Sequence, residues 1–208
     1  MTKIKAITFD LWNTLLRNKS NVFHDNILNY ITSNLGKNFE QTMYSQYQTI
    51  DDFYNYFKQV CGHTKLKHLQ AMIKKHCTKN FTEFSDFQYV LPLMKKYKLG
   101  IISNSSFITE ECLKHWGYTK IFDFVILSYK YETSKPDKKI YTICSNKLSI
   151  KPSNILHIGD SYTSDFLGAK NSGFNALLLD RKNMHKEIKE RITSFKQLEN
   201  YLEKKNKE

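Results

Sequence analysis

Five short runs dominated by isoleucine, leucine, valine and phenylalanine recur along the chain: Ile4 to Phe9, Leu99 to Ile102, Phe124 to Leu127, Ile155 to Ile158 and Ala176 to Leu179. None alternates strictly between apolar and polar residues. A strand with one wet face alternates, so these runs read as strands buried on both faces, as in a parallel sheet. Parallel neighbours cannot be joined by tight hairpins and need long crossovers. The intervening segments carry helix signals that supply them. Ser85-Asp86-Phe87-Gln88 reads as a capping box, with Phe87, Val90, Leu91, Met94 and Tyr97 following at helical spacing; Pro92 marks a kink or a later start. Asp137 to Leu148 and Thr163 to Asn171 also read as helices, the second ended by Gly173. Strand and helix in alternation predict an α/β fold, an open parallel sheet with right-handed crossovers.

One interval breaks the alternation. Residues 17 to 84 hold no convincing strand but three helical stretches: Asn21 to Leu35 before Gly36, Phe39 to Val60 just short of Gly62, and Lys65 to Cys77. Tyr44, Tyr47, Tyr54 and Phe57 form an aromatic stripe at helical spacing, which suits packing. The chain therefore divides into a core of residues 1–16 and 85–208 and a helical cap of residues 17–84 inserted after the first strand. A length of 208 residues suits that plan.

Composition narrows the function classes. The net charge is +12, yet only Arg17, Arg181 and Arg191 among the 32 basic residues are arginines, and the lysines are spread along the whole chain. Nucleic-acid readers cluster basic residues and favour the planar arginine fork, so no specific nucleic-acid binding is expected. The positive field does suit a small anionic substrate. No apolar run approaches the ~18 residues of a membrane span, and strand-like sequence begins by Ile4, which leaves no room for a signal peptide. A cytoplasmic location is the expectation, and Cys61, Cys77, Cys112 and Cys144, with no CxxC pair, read as reduced thiols. Cys61, His63, His76 and Cys77 lack the spacing of a zinc site, and none is expected there.

In open α/β sheets ligands bind beyond the carboxyl ends of the strands. The first strand is followed by Asp10, then Asn13 and Thr14; the second by Ser103-Asn104-Ser105-Ser106. Lys135 follows a few residues after the third, and Gly159-Asp160-Ser161 follows the fourth, with Asp165 five residues beyond Asp160. Each alone is an ordinary turn or cap residue. Together they place carboxylates, hydroxyls, an amide and an ammonium at one sheet edge. Asp10, Asp160 and Asp165 close together require neutralisation. Mg²⁺ suits the task, because it takes oxygen ligands, keeps waters and binds substrate phosphate. Lys135 would balance the remaining charge, while Thr14, Ser103 and Asn104 would hold phosphoryl oxygens. Asp10 would then be the nucleophile of an aspartyl-phosphate route acting on a small phosphorylated metabolite.

Four stretches, in order, resemble the motifs of the haloacid dehalogenase superfamily: FDLWNTLL at 9–16, IISNSS at 101–106, SKPDKKIY at 134–141 and ILHIGDSYTSDFLGAKNSGF at 155–174. The resemblance runs over essentially the full length. It implies a three-layer Rossmann-like sandwich with a helical cap after the first motif, and a hydrolase activity. It also implies roles: Asp10 the nucleophile, Ser103 the phosphate-binding hydroxyl, Lys135 the third-motif lysine, Asp160 and Asp165 the metal-side acids, and the carbonyl of Trp12 a Mg²⁺ ligand.

Trp12 departs from the pattern. Phosphatases of the superfamily usually carry a second aspartate there, which protonates the leaving group and then activates water. An indole N–H is a donor only and can do neither. General acid–base help typically contributes ~10²–10⁴-fold, so aryl and acyl phosphates are expected to react faster than alkyl phosphates. The dehalogenase branch, with an aromatic residue at this position and no metal, is the alternative reading, and Arg17 could grip a substrate carboxylate there. Against it, dehalogenases lack an acid where Asp160 stands. A non-catalytic binding protein on the same fold is the third reading.

Overall fold

The computed structural model describes residues 3–19, 22–36 and 49–207. Strands β1 (Ala6–Phe9), β4 (Lys98–Ser103), β5 (Phe124–Leu127), β6 (Ile155–Gly159), β7 (Asn175–Leu179) and β8 (Arg191–Ile192) form one sheet in the order β5-β4-β1-β6-β7-β8, with every pairing parallel. The five expected strands are all present, and β8 adds a short edge. All residues of β1 and β6 are buried. Two separate cores explain the lack of alternation. Ile7, Phe9, Leu99, Ile101, Leu156 and Ile158 face one, while Ala6, Ile102, Ile126, Ile155 and Leu178 face the other. Gly100 is required inside β4, because a Cβ there would lie 2.1 Å from the ring of Phe124 on the neighbouring strand.

Chain order reverses around β1, which β4 flanks on one side and β6 on the other. That reversal opens a crevice at the carboxyl ends of these three strands. Helix Lys138–Leu148 starts where expected, with the Asp137 side chain accepting from the Lys139 N–H at 2.8 Å.

Between β2 (Leu16–Asn18) and β3 (Phe81–Glu83) lie helices α1 (Val22–Leu35), α2 (Ile50–Cys61) and α3 (His63–Lys79). The expected start of the second helix at Phe39, with Tyr44 and Tyr47 of the aromatic stripe, lies outside the described residues. Thr49 and Asp52 close a capping box at the start of α2. The interval holds strands after all: β2 and β3 pair antiparallel, Leu16 with Glu83 and Asn18 with Phe81. Three residues are too few to show a period of two in sequence. The helices pack onto α4 (Phe107–His115), where the Phe53 and Phe107 rings approach to 4.4 Å.

Two further expectations are corrected. Ser85 does not open an α-helix; Ser85–Tyr89 and Leu91–Lys95 are separate 3₁₀ turns, the second carrying Pro92 in its first turn. Asp86 is drawn into a distant network instead, accepting from Arg181 Nη1 at 2.8 Å, Ser194 Oγ at 2.8 Å and the Phe195 N–H at 2.9 Å. Nor are all the cysteines free thiols: Cys77 of α3 and Cys112 of α4 form a disulfide. Cys61 and Cys144 are free. Among the described residues no helix is long and apolar enough to cross a membrane.

Candidate active site

Asp10 is the first residue beyond β1, and its N–H continues the parallel ladder by donating to the Ile158 carbonyl at 2.8 Å. The chain then turns sharply. Leu15 and Leu16 N–H groups both reach the Leu11 carbonyl at 2.9 Å, and Asn13 takes the left-handed conformation with φ 58°, which asparagine tolerates better than most residues. From this turn the Asn13 side chain favours the charged form of Asp160.

Lys135 is buried at the centre of the site. Its Nζ donates to Asp10 Oδ1 at 2.6 Å and to Asp165 Oδ1 at 2.5 Å. Asn104 holds the lysine by its backbone, donating from Nδ2 to the Lys135 carbonyl at 2.9 Å and accepting the Lys135 N–H at Oδ1 at 2.7 Å. Asn104, expected at the substrate, thus grips Lys135. Thr14 is fully buried, its hydroxyl has no hydrogen-bond partner, and its carbonyl accepts from Arg181 Nη2 at 3.0 Å. Ser103 ends β4, the strand next to β1, with its hydroxyl 2.6 Å from that of Ser105.

Asp165 lies in a π-helical turn, Tyr162–Leu167, whose first residues are capped by Ser161 Oγ accepting from the Ser164 N–H. Both of its oxygens are engaged: Oδ2 accepts the Ser161 N–H at 3.0 Å, and Oδ1 accepts from Lys135 and from His157 Nε2 at 3.1 Å. His157 pairs in register with Thr8 across β6 and β1, and its Nδ1 lies 2.9 Å from the Thr8 hydroxyl. With Nε2 turned to a carboxylate, the consistent tautomer has Nε2–H donating to Asp165 and Nδ1 accepting from Thr8. Sequence reasoning missed both residues. The signal was present: a histidine and a threonine inside strands buried on both faces need a partner.

Charge in the crevice is unbalanced. Burial pushes the Asp10 carboxyl up to about 7, against the pull of Lys135. Burial and the charge of Asp165 raise Asp160 as well. Asp165 moves the other way: burial would raise it, but Lys135 and His157 outweigh that and hold it below the ordinary carboxylate range. Burial disfavours the Lys135 ammonium, yet Asp10 and Asp165 keep it charged. Burial, joined by the charge of Lys135, lowers the His157 imidazole below its ordinary range against the pull of Asp165. Asp10, Asp160 and Asp165 each offer an oxygen within 4.8 Å of the others, three acids beside one lysine. That is a hard-oxygen donor set with negative charge to spare, which fits a divalent cation. A cleft of about 520 Å³ opens beside Asp160, lined by Asn13, Arg17, Lys182 and His185 among others.

Gly159 makes the arrangement possible, since a Cβ there would sit 2.2 Å from Asp165 Cγ. Gly159→Ala is expected to lower stability by about 1–3 kcal/mol, the usual cost of overpacking, as read by chemical denaturation. An unchanged midpoint would mean that the Asp165 carboxyl has room to move.

Residues 7–179 match the sequence profile of haloacid dehalogenase-like hydrolases. Relatives include the Rhythmically expressed gene 2 protein of Drosophila melanogaster, 35% identical over 92 residues, covering 43% of this chain and 35% of that protein. Glyceraldehyde 3-phosphate phosphatase of Methanothermobacter thermautotrophicus is 33% identical over 87 residues, 41% of this chain and 38% of that one. The chain thus matches little more than a third of the length of these relatives. In fold, it is similar to a HAD phosphatase from Thermococcus onnurineus (TM-score 0.69, 21% identity, 96% of this chain and 98% of that one). It is also similar to a 2-haloacid dehalogenase from Pseudomonas syringae pv. Tomato DC3000 (TM-score 0.70, 16% identity, 97% and 99%). With a family match across most of its length and the six-stranded parallel sheet that goes with it, this chain belongs to the haloacid dehalogenase-like hydrolases.

Proposed function

We propose that the protein is a Mg²⁺-dependent phosphatase acting on a small phosphorylated metabolite, with Asp10 as nucleophile and the helices between β2 and β3 as its cap. The observation that carries this reading is the excess of acid around one buried lysine: Asp10, Asp160 and Asp165 lie together, with Lys135 bonded to two of them. A dehalogenase releases halide without needing a cation, and has no use for the additional acid at Asp160. The name of the phosphatase relative points the same way, and the basic side chains of the cleft suit an anionic ligand.

Asp10, the Trp12 carbonyl and Asp160 would hold the ion, with Asp165 behind them. When bound, Mg²⁺ would offset charge building on the phosphoryl oxygens. An Asp10 carboxylate oxygen attacks phosphorus, the ester P–O bond breaks, and the leaving oxygen departs with the bonding pair. Lys135 fixes the direction of that carboxylate, and Ser103 donates to a phosphoryl oxygen. Water then attacks phosphorus, releasing inorganic phosphate and restoring the carboxylate. Trp12 supplies no proton in the first step and accepts none in the second.

A panel of aryl, acyl and alkyl phosphates beside 2-haloacids, each with Mg²⁺ and with EDTA, tests the proposal. Aryl and acyl phosphates are expected to exceed alkyl phosphates by about 10²-fold or more, with all phosphate turnover lost in EDTA. Trp12→Asp should narrow the gap. Asp160→Asn should weaken Mg²⁺ binding in calorimetry. Turnover of 2-haloacids alone, unchanged by EDTA, would establish the dehalogenase reading instead. A protein inert to the whole panel, with Trp12→Asp equally inert, would make it a binding protein.

A further inference from the structure

The indole of Trp12 has a hydrogen-bonded position of its own. Its Nε1–H donates to Ser105 Oγ at 3.2 Å, and Ser105 Oγ lies 2.6 Å from Ser103 Oγ. The first two members of this chain are held in place. The Trp12 ring packs on Phe81 of β3, with centroids 4.8 Å apart. Ser105 is held by its backbone: its N–H donates to Ser128 Oγ at 2.9 Å, and Ser128 Oγ returns a bond to the Ser105 carbonyl at 3.2 Å.

Proton direction in this chain is biased by the chemistry of its first member. An indole N–H can only donate, so Ser105 Oγ must accept from it. Accepting from the indole polarises the Ser105 hydroxyl and makes it the better donor of the pair, with Ser103 accepting. The Ser103 hydroxyl hydrogen is left over, directed to whatever anion lies at the end of β4. Without the indole this bias is lost, and the arrangement with Ser103 as donor would turn its hydrogen away from the ligand.

We propose that Trp12 is a positioning residue that orients the Ser103 hydroxyl, through Ser105, as a donor to the substrate's phosphoryl oxygens. This rests on the phosphatase reading, in which Ser103 touches the phosphoryl group. The relay assigns a function to the aromatic residue that replaces the usual acid: Trp12 contributes to anion binding where an aspartate would have moved protons. Hydrogen bonds in series polarise one another, so the loss of the first bond weakens the last.

The test is the affinity for inorganic phosphate, measured by calorimetry with Mg²⁺ present, together with KM and kcat on an aryl phosphate. Ser103→Ala should weaken phosphate binding by about 10-fold or more, the loss of a hydrogen bond to a charged group. Trp12→Phe keeps the ring on Phe81 but removes the N–H; it and Ser105→Ala should each weaken binding by about fivefold, raising KM and leaving kcat within about twofold. Ser105→Thr, which retains a hydroxyl, should recover most of the affinity. The Trp12→Phe/Ser105→Ala double variant should bind no more weakly than Ser105→Ala alone, because both changes break one chain. If Ser103→Ala weakens phosphate binding while Trp12→Phe does not, the relay is wrong and the phosphate site stands. If the double variant loses the full sum of the two single effects, Trp12 acts outside the relay and the proposal also fails. If Ser103→Ala binds phosphate as the wild type does, Ser103 is no phosphate ligand, and the phosphatase reading loses that residue together with the relay.

Discussion

Asp10→Asn is expected to abolish turnover of every substrate the protein accepts, by on the order of 10⁴–10⁶-fold, the range seen when a covalent nucleophile is removed. An amide oxygen is a far weaker nucleophile than a carboxylate, and none of the neighbouring groups can substitute for it. Asp165 is the closest in chemistry, but both of its oxygens are occupied by Lys135, His157 and Ser161. Asp160 lies beyond the end of a different strand. The substitution should be mild for the fold, because the introduced amide still offers an oxygen to Lys135 Nζ, which lies 2.6 Å from Asp10 Oδ1. Steady-state rates on the best aryl phosphate, with a denaturation curve beside them, separate loss of chemistry from loss of structure. Retention of even a hundredth of wild-type turnover by a folded variant would exclude Asp10 as the attacking group.

Lys135→Met carries the second large effect, this time on stability. The lysine side chain is 2% exposed and bonds to carboxylates that are 9% and 3% exposed. Removing one member of such a buried set leaves uncompensated charge, at a cost of about 3–5 kcal/mol. Denaturation of the metal-free protein should show that loss. Mg²⁺ should return part of it, since an ion that binds only the folded state at about a hundred times its dissociation constant adds about 2.7 kcal/mol. Adding Asp165→Asn to Lys135→Met should also recover stability, because the second change removes one of the stranded charges. A Lys135→Met protein as stable as the wild type without Mg²⁺ would mean that Asp165 needs no help from the lysine and that Asp10 needs no partner. Burial does push that carboxyl up to about 7, so the measurement discriminates between real alternatives.

How much of this was legible depends on how local each cause is. The run Phe124 to Leu127 coincides with β5, and the other four runs match their strands to within two residues at either end. Their cause is burial on both faces, which the residue types record directly. The site was legible for a related reason. In a parallel sheet every strand delivers its carboxyl end to the same edge, so Asp10, Ser103 and Asp160 had to lie along one edge; the strand order β4-β1-β6, which makes them neighbours, is not written in the sequence. Features caused by distant partners were not legible. Asp86 abandons its capping position for Arg181, Ser194 and Phe195, each about a hundred residues away in sequence. Asn104 was expected at the substrate and holds the Lys135 backbone. Cys77 finds Cys112 at a sequence separation of 35, a pairing that spacing alone does not specify. His157 lies inside a strand rather than beyond it, and a search confined to strand ends passes over it.

The ribbon of β2 and β3 has a consequence for how such a protein can diversify. The chain leaves the sheet domain at Leu16 and returns at Glu83, and these two residues are paired with each other. A segment that departs and returns through one closed neck places no demand on the length or content of what lies between, because the neck itself has already brought the ends together. The interval from 19 to 80 can therefore be lengthened or exchanged without separating the two strands. A change of length or sequence within that interval would leave Asp10, Ser103 and Asp160 where the strands of the sheet put them.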